Sequence, residues 1–147
     1  MKKILLLLTL VSFFMFSPGQ KPKYDFWKIT WNKKNILETG KSDETTNTRK
    51  INAIDLEKDY TLDIVYKEAN PKKEKEWIRS FLIANESDAE LWRMDSTRKV
   101  TITAPELRKL FGDKKKIKIY TIAVPSDPNL AARVRVRRVH LCTLELQ

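Results

Sequence analysis

The chain holds one cysteine, one histidine and three glycines in 147 residues, and each scarcity removes a class of function. A lone thiol, Cys142, rules out a disulfide framework within the chain. One imidazole, His140, leaves any histidine-based triad or dyad a single place to stand. The few glycines build no phosphate-cradling loop, and no Gly-x-Ser-x-Gly nucleophile elbow is present. His140 and Cys142 lie two residues apart and, on a strand, point the same way, a spacing open to a metal or a thiolate–imidazole pair. Zinc would need its remaining ligands from carboxylates, and a partly buried strand pair is the ordinary reading. Asn85, Asp88 and Glu90 have the wrong spacing for a calcium loop. No pair of acids is marked by its surroundings as a glycosidase dyad. The expectation is a protein that is not an enzyme, with no catalytic residues, no metal ligands and no cofactor.

Long apolar runs are scarce as well. Residues 4–16 form one, thirteen residues without a charge, preceded by Lys2 and Lys3 and followed by Ser17, Pro18 and Gly19. Basic start, apolar centre and small-residue end are the three parts of a secretory signal peptide. The run is short of the roughly 20 apolar residues that span a bilayer comfortably; an uncleaved anchor is the rival reading. No cysteine follows the run, which argues against a lipoprotein. The expected organisation is a signal peptide over 1–19, cleaved after Gly19, and one domain over 20–147. No later segment is apolar enough to span a membrane. The mature chain is expected to be exported, to the periplasm or beyond.

Apolar side chains alternate through most of what remains, which is the period of strands. The clearest case is Tyr60, Leu62, Ile64 and Tyr66 on one face, with Asp63 and Lys67 opposite. Further strands are expected near 24–31, 50–56, 76–84, 89–94, 99–103, 117–124 and 131–146. Residues 40–49 carry no apolar side chain and read as a loose loop open to a partner. One helix is expected near 104–111, where Thr103 precedes Pro105 and Glu106 as in a capping box and Gly112 stands at the exit. The fold class is therefore all-β: an antiparallel β-sandwich of seven to nine strands, similar in architecture to immunoglobulin and fibronectin domains. In that architecture Trp77 and Tyr120 fall where a core aromatic and a late-strand tyrosine belong. A closed β-barrel of lipocalin type is the alternative.

Charge is unevenly spread. The whole chain carries +10, yet residues 20–97 hold fifteen bases against fifteen acids. Residues 98–147 hold twelve bases against four acids, a balance of +8. Read as a strand, 131–140 places Arg133, Arg135 and Arg137 on one face and Val134 and Val136 on the other. Arginines at alternate strand positions recur every ~6.7 Å, near the spacing of charges on a phosphate or sulfate polymer. Val139 and Leu141 are out of phase with Val134 and Val136, which predicts bulges near Arg137-Arg138 and near Cys142-Thr143. The candidate anion-binding residues are Arg133, Arg135, Arg137, Arg138, Lys114, Lys115, Lys116 and Lys118, forming one patch if the last two strands pair. A wet sheet face of valine and arginine would give the same pattern without a ligand. Trp27 and Trp77 are expected in the core, and Trp31 and Trp92 are candidates for exposed aromatic contacts.

Three functions fit these features. The first is an exported binding or accessory module of the cell envelope, contacting an envelope or extracellular protein. The second is a binder of a polyanion: acidic glycan, envelope phosphate or nucleic acid. The third is an inhibitor of a secreted hydrolase.

Overall fold

A computed structural model describes residues 23–147; the expected signal peptide at 1–19 lies outside the described residues. The described residues form nine strands: β1 (Phe26–Trp31), β2 (Lys34–Thr39), β3 (Thr48–Ile51), β4 (Thr61–Lys67), β5 (Trp77–Ala84), β6 (Glu90–Met94), β7 (Lys99–Thr103), β8 (Lys116–Pro125) and β9 (Val139–Leu146). Three short helices join them: α1 (Pro71–Glu76), α2 (Ala104–Phe111) and α3 (Pro128–Ala131). Among the described residues no helix is long and apolar enough to cross a membrane.

The strands make two open sheets, one ordered β2-β1-β4-β7 and the other β3-β9-β8-β5-β6. Each sheet keeps two free edges, so the chain is an all-β sandwich and not a closed barrel. Every pair is antiparallel except the outermost, where β3 runs parallel to β9 with Thr48 opposite Thr143. The strand expected over 50–56 is thus confined to Thr48–Ile51. Residues Ala53–Glu57 instead wind into a 3-10 turn that drops Leu56 into the core.

Alternation decides which side chains meet between the sheets. Trp27, Ile29 and Trp31 from β1 join Leu62, Ile64 and Tyr66 from β4, and Phe81, Ile83, Ile117 and Ile119 answer from the other sheet. Burying a large apolar side chain contributes about 1.5–3 kcal/mol, so this layer supplies most of the driving force. The Trp27 Nε1–H donates to the Leu141 carbonyl at 3.0 Å, tying the two sheets together through a buried bond. Trp77 departs from expectation: it opens β5 and is only half-buried, since the core of that strand begins at Arg79.

Local signals account for the connections. β1 and β2 are joined by two residues, Asn32 and Lys33, both with positive φ (48° and 63°), the geometry of a type I′ hairpin turn. At α2 the Thr103 hydroxyl accepts the Glu106 N–H at 3.4 Å and the Glu106 carboxylate accepts the Thr103 N–H at 2.9 Å, closing the capping box. Leu107 and Phe111 on α2 are buried, so the cap orients a helix that belongs to the core. Thr103→Ala should cost about 1 kcal/mol, read as a lowered denaturation midpoint with an unchanged slope. An unchanged midpoint would show that packing alone sets the helix.

Candidate anion-binding surface

β8 and β9 do pair, with Lys116 opposite Glu145 and Thr121 opposite Val139. That antiparallel register separates the two basic clusters. Lys114, Lys115 and Lys116 sit where β9 ends, whereas the arginines sit where β9 begins, about 17 Å away along the strand. The single patch expected from sequence is therefore not formed. Lys114 pairs with Asp113 at 3.4 Å, and Lys116 faces Glu145 at 3.6 Å. Lys115 is exposed.

The arginines themselves are not on a strand. The expected strand over 131–146 is cut to Val139–Leu146, and residues 132–138 form an irregular arm. The cause lies upstream: Asp127 caps α3 by accepting the Asn129 N–H at 2.9 Å, and Pro128 starts that helix, so the chain turns before it can extend. Ser126 fastens the approach, its N–H donating to the Glu76 carbonyl at 2.8 Å. Arg133, Arg135, Arg137 and Arg138 are all exposed on the arm. Among the described residues Arg133, Arg135 and Arg137 have no salt-bridge partner; the nearest paired arginine is Arg138.

Arg138 roots the far end. Its guanidinium donates to the Asp88 carbonyl at 2.9 Å and lies 3.7 Å from the Glu90 carboxylate. The Asp88 carboxylate accepts the Tyr120 hydroxyl at 2.6 Å and Lys118 at 3.3 Å. Those two donors, the tyrosine first, hold Asp88 below the usual carboxylate range. Lys118 also reaches Glu44 at 3.3 Å, so it serves the root of the arm and is not a free cation. Asp88 takes φ 61°, a left-handed turn that aspartate tolerates, with its backbone carbonyl turned to Arg138 on the arm and its carboxylate to Tyr120 and Lys118 on β8. Nothing in the local sequence marks Asp88, Glu90 and Tyr120 as one cluster.

The other sequence candidates take structural places. Trp31 is buried, with its ring edge-on to Tyr60 at 5.6 Å, so it offers no exposed contact. Trp92 is half-buried and packs against the core from β6. Residues 40–49 are fastened: Asn47 is buried, its side chain donating to the Lys41 carbonyl at 2.8 Å, and Ser42 donates to the His140 carbonyl at 3.0 Å.

His140 and Cys142 point to opposite faces. Tyr120 pairs with His140 and the preceding Ile119 with Cys142, so Leu141 is an extra residue that flips the alternation. This is the bulge expected near Cys142-Thr143; the one expected near Arg137-Arg138 does not form, because those residues precede β9. Cys142 is sealed in the core, and burial pushes its thiol up to about 12, which leaves it unreactive. Among the described residues no three of His, Cys, Asp and Glu gather to hold a metal ion.

His140 is nearly covered on the outer side of the five-stranded sheet. Its Nε2 meets the Thr143 hydroxyl at 2.9 Å, its ring stands edge-on to Tyr120 at 5.5 Å, and its Nδ1 is buried without a partner among the described residues. Burial holds its pKa below the ordinary 6.5, with Glu44 opposing. Below that ordinary value the unfolded chain takes up a proton that the folded state refuses, so stability falls as pH falls. The melting temperature should decline as pH falls through and below that 6.5, and His140→Phe, which keeps a ring but cannot titrate, should flatten that decline. Parallel declines in both proteins would place the effect elsewhere.

A second polar cluster lies inside the sandwich. The Glu68 carboxylate accepts Arg79 Nη2 at 2.9 Å and Arg98 Nε at 2.8 Å. Arg79 also donates to the Thr121 hydroxyl at 3.1 Å and lies 3.6 Å from the centre of the Tyr66 ring. Burial pushes the Tyr66 hydroxyl up to about 12, and that hydroxyl donates to Asp25 at 3.1 Å. Glu68 follows β4 in one sheet and Arg79 lies on β5 in the other, so the cluster closes one end of the sandwich.

Comparison with family models, with curated proteins and with solved structures finds no match.

Proposed function

We propose that this protein is an exported binding module, not an enzyme, that holds a polyanion through the arginine arm at 132–138. One observation carries the reading: Arg133, Arg135 and Arg137 stand exposed, without acidic partners among the described residues, on an arm fastened at both ends. Three unpaired guanidinium groups within five residues repel one another, and an anionic chain relieves that repulsion. Each planar fork can take phosphate, sulfate or carboxylate with two parallel hydrogen bonds. The anchors at Ser126 and Arg138 reduce the ordering cost of binding. Export is supported by the signal-like layout of residues 1–19. Acidic glycans, envelope phosphate polymers and nucleic acids share the required chemistry of closely repeated anions.

Strand addition by a protein partner has weaker support. The free edges β2, β3, β6 and β7 are four to six residues long and carry lysine, arginine or glutamate, features that guard an edge against pairing.

The test is elution from immobilised heparin in a salt gradient. Arg133→Ala/Arg135→Ala/Arg137→Ala should elute at much lower salt than the unaltered protein. Lys114→Ala/Lys115→Ala/Lys116→Ala removes as many charges and should elute close to it. The reverse ranking would reject the arm.

A further inference from the structure

The outer face of the four-stranded sheet, on the far side of the sandwich from the arm, carries an open hollow of about 340 Å³. It is lined by Lys28, Thr30, Lys33, Asp63, Val65 and Lys99. The sheet order brings these together. Val65 on β4 sits between Lys28 on β1 and Lys99 on β7, and Asp63 sits between Thr30 and Thr101 one pair along. Lys33 reaches the rim from the type I′ turn. Thr30, Asp63 and Val65 are half-buried and make the floor; the three lysines are exposed and make the wall.

The charges are unbalanced in an informative way. Among the described residues none of Lys28, Lys33 and Lys99 has a salt-bridge partner, although Asp63 lies between them. Asp63 is occupied by hydroxyls instead: Thr101 donates to one carboxylate oxygen and Thr61 to the other at 3.3 Å. Each of those oxygens keeps a lone pair for a further donor. An incoming ligand thus meets three cations at the rim, a fixed hydrogen-bond acceptor on the floor and the small apolar surface of Val65.

We infer that this hollow binds an acidic sugar, a single pyranose unit bearing a carboxylate. The anionic group would sit among the lysines, a ring hydroxyl would donate to Asp63, and the C–H face of the ring would rest on Val65. The floor carboxylate argues against a bare anion, which it repels and to which it offers nothing. It favours a ligand that presents a hydroxyl donor and a negative charge together. The volume is near the lower end of the roughly 300–1,000 Å³ of small-molecule sites, which suits one ring. Nothing in this inference depends on the arginine arm.

Titration of the full chain with glucuronate, with glucose and with inorganic sulfate, followed by amide chemical shifts, tests it. Glucuronate should give saturable shifts centred on Thr30, Asp63, Val65 and Lys99, at least tenfold tighter than either glucose or sulfate. Lys28→Glu/Lys99→Glu should weaken glucuronate at least tenfold, while Asp63→Asn should narrow its advantage over sulfate. The Arg133→Ala/Arg135→Ala/Arg137→Ala variant should bind glucuronate as the unaltered protein does. A response to sulfate as strong as to glucuronate, no saturable response to glucuronate, or shifts centred on residues 132–138 would each overturn the inference.

Discussion

Glu68→Ala is expected to destabilise the protein by about 3–5 kcal/mol, a larger loss than any single surface change should produce. The carboxylate is fully covered and holds two guanidinium groups, so its removal leaves Arg79 charged, buried and without its counter-ion. Arg79 cannot swing to water, because its guanidinium is stacked on Tyr66 and bonded to Thr121. Arg98 would lose its carboxylate too, loosening its 2.8 Å bond to the Trp77 carbonyl at the start of β5. For a domain of this size the melting temperature should fall by roughly 10–20 °C. Replacing both partners by apolar residues of similar volume, Glu68→Leu with Arg79→Met, should recover much of the loss, since the cost is the orphaned charge more than the missing attraction. A loss below about 1 kcal/mol for Glu68→Ala would show that water reaches this end of the sandwich.

The second large effect is on binding. Each arginine that meets an anionic group releases about 0.7–0.9 of a condensed counterion, depending on the polymer. Removing Arg133, Arg135 and Arg137 together should therefore weaken polyanion binding by about 10²–10³-fold near 0.1 M salt. Single substitutions should each cost about fivefold to tenfold. Stability should be almost untouched, since all three side chains are exposed and bear no salt bridge among the described residues. This separates a binding role from a folding role within one set of variants.

How much of this was legible in the chain depended on distance. The alternation of Tyr60, Leu62, Ile64 and Tyr66 became β4 with its apolar face inward, and the Thr103–Glu106 capping box formed where its residues stand. Both signals act within one element. The arginine arm misled because valine and arginine in alternation describe a half-buried strand equally well. What broke it was the Asp127-Pro128 cap upstream and the pull of Asp88 across the sheet. The bulge at Leu141 explains why His140 and Cys142 part company despite a spacing that should align them. Trp31 closes β1 over the core and is buried, whereas Trp77 opens β5 two residues ahead of its buried run and stays half-buried. Glu68, just past β4, and Arg79, eleven residues on in β5 of the other sheet, and the lysines around Asp63, gathered from β1, its turn and β7, carry no local signature.

The central claim is that the arm at 132–138 binds a polyanion. It is tested most directly by the slope of log K against log salt concentration for heparin, measured on the unaltered protein and on Arg133→Ala/Arg135→Ala/Arg137→Ala. The arm predicts that the variant's slope is shallower by about 2–3, with the melting temperature unchanged. Equal slopes in two equally folded proteins would contradict it.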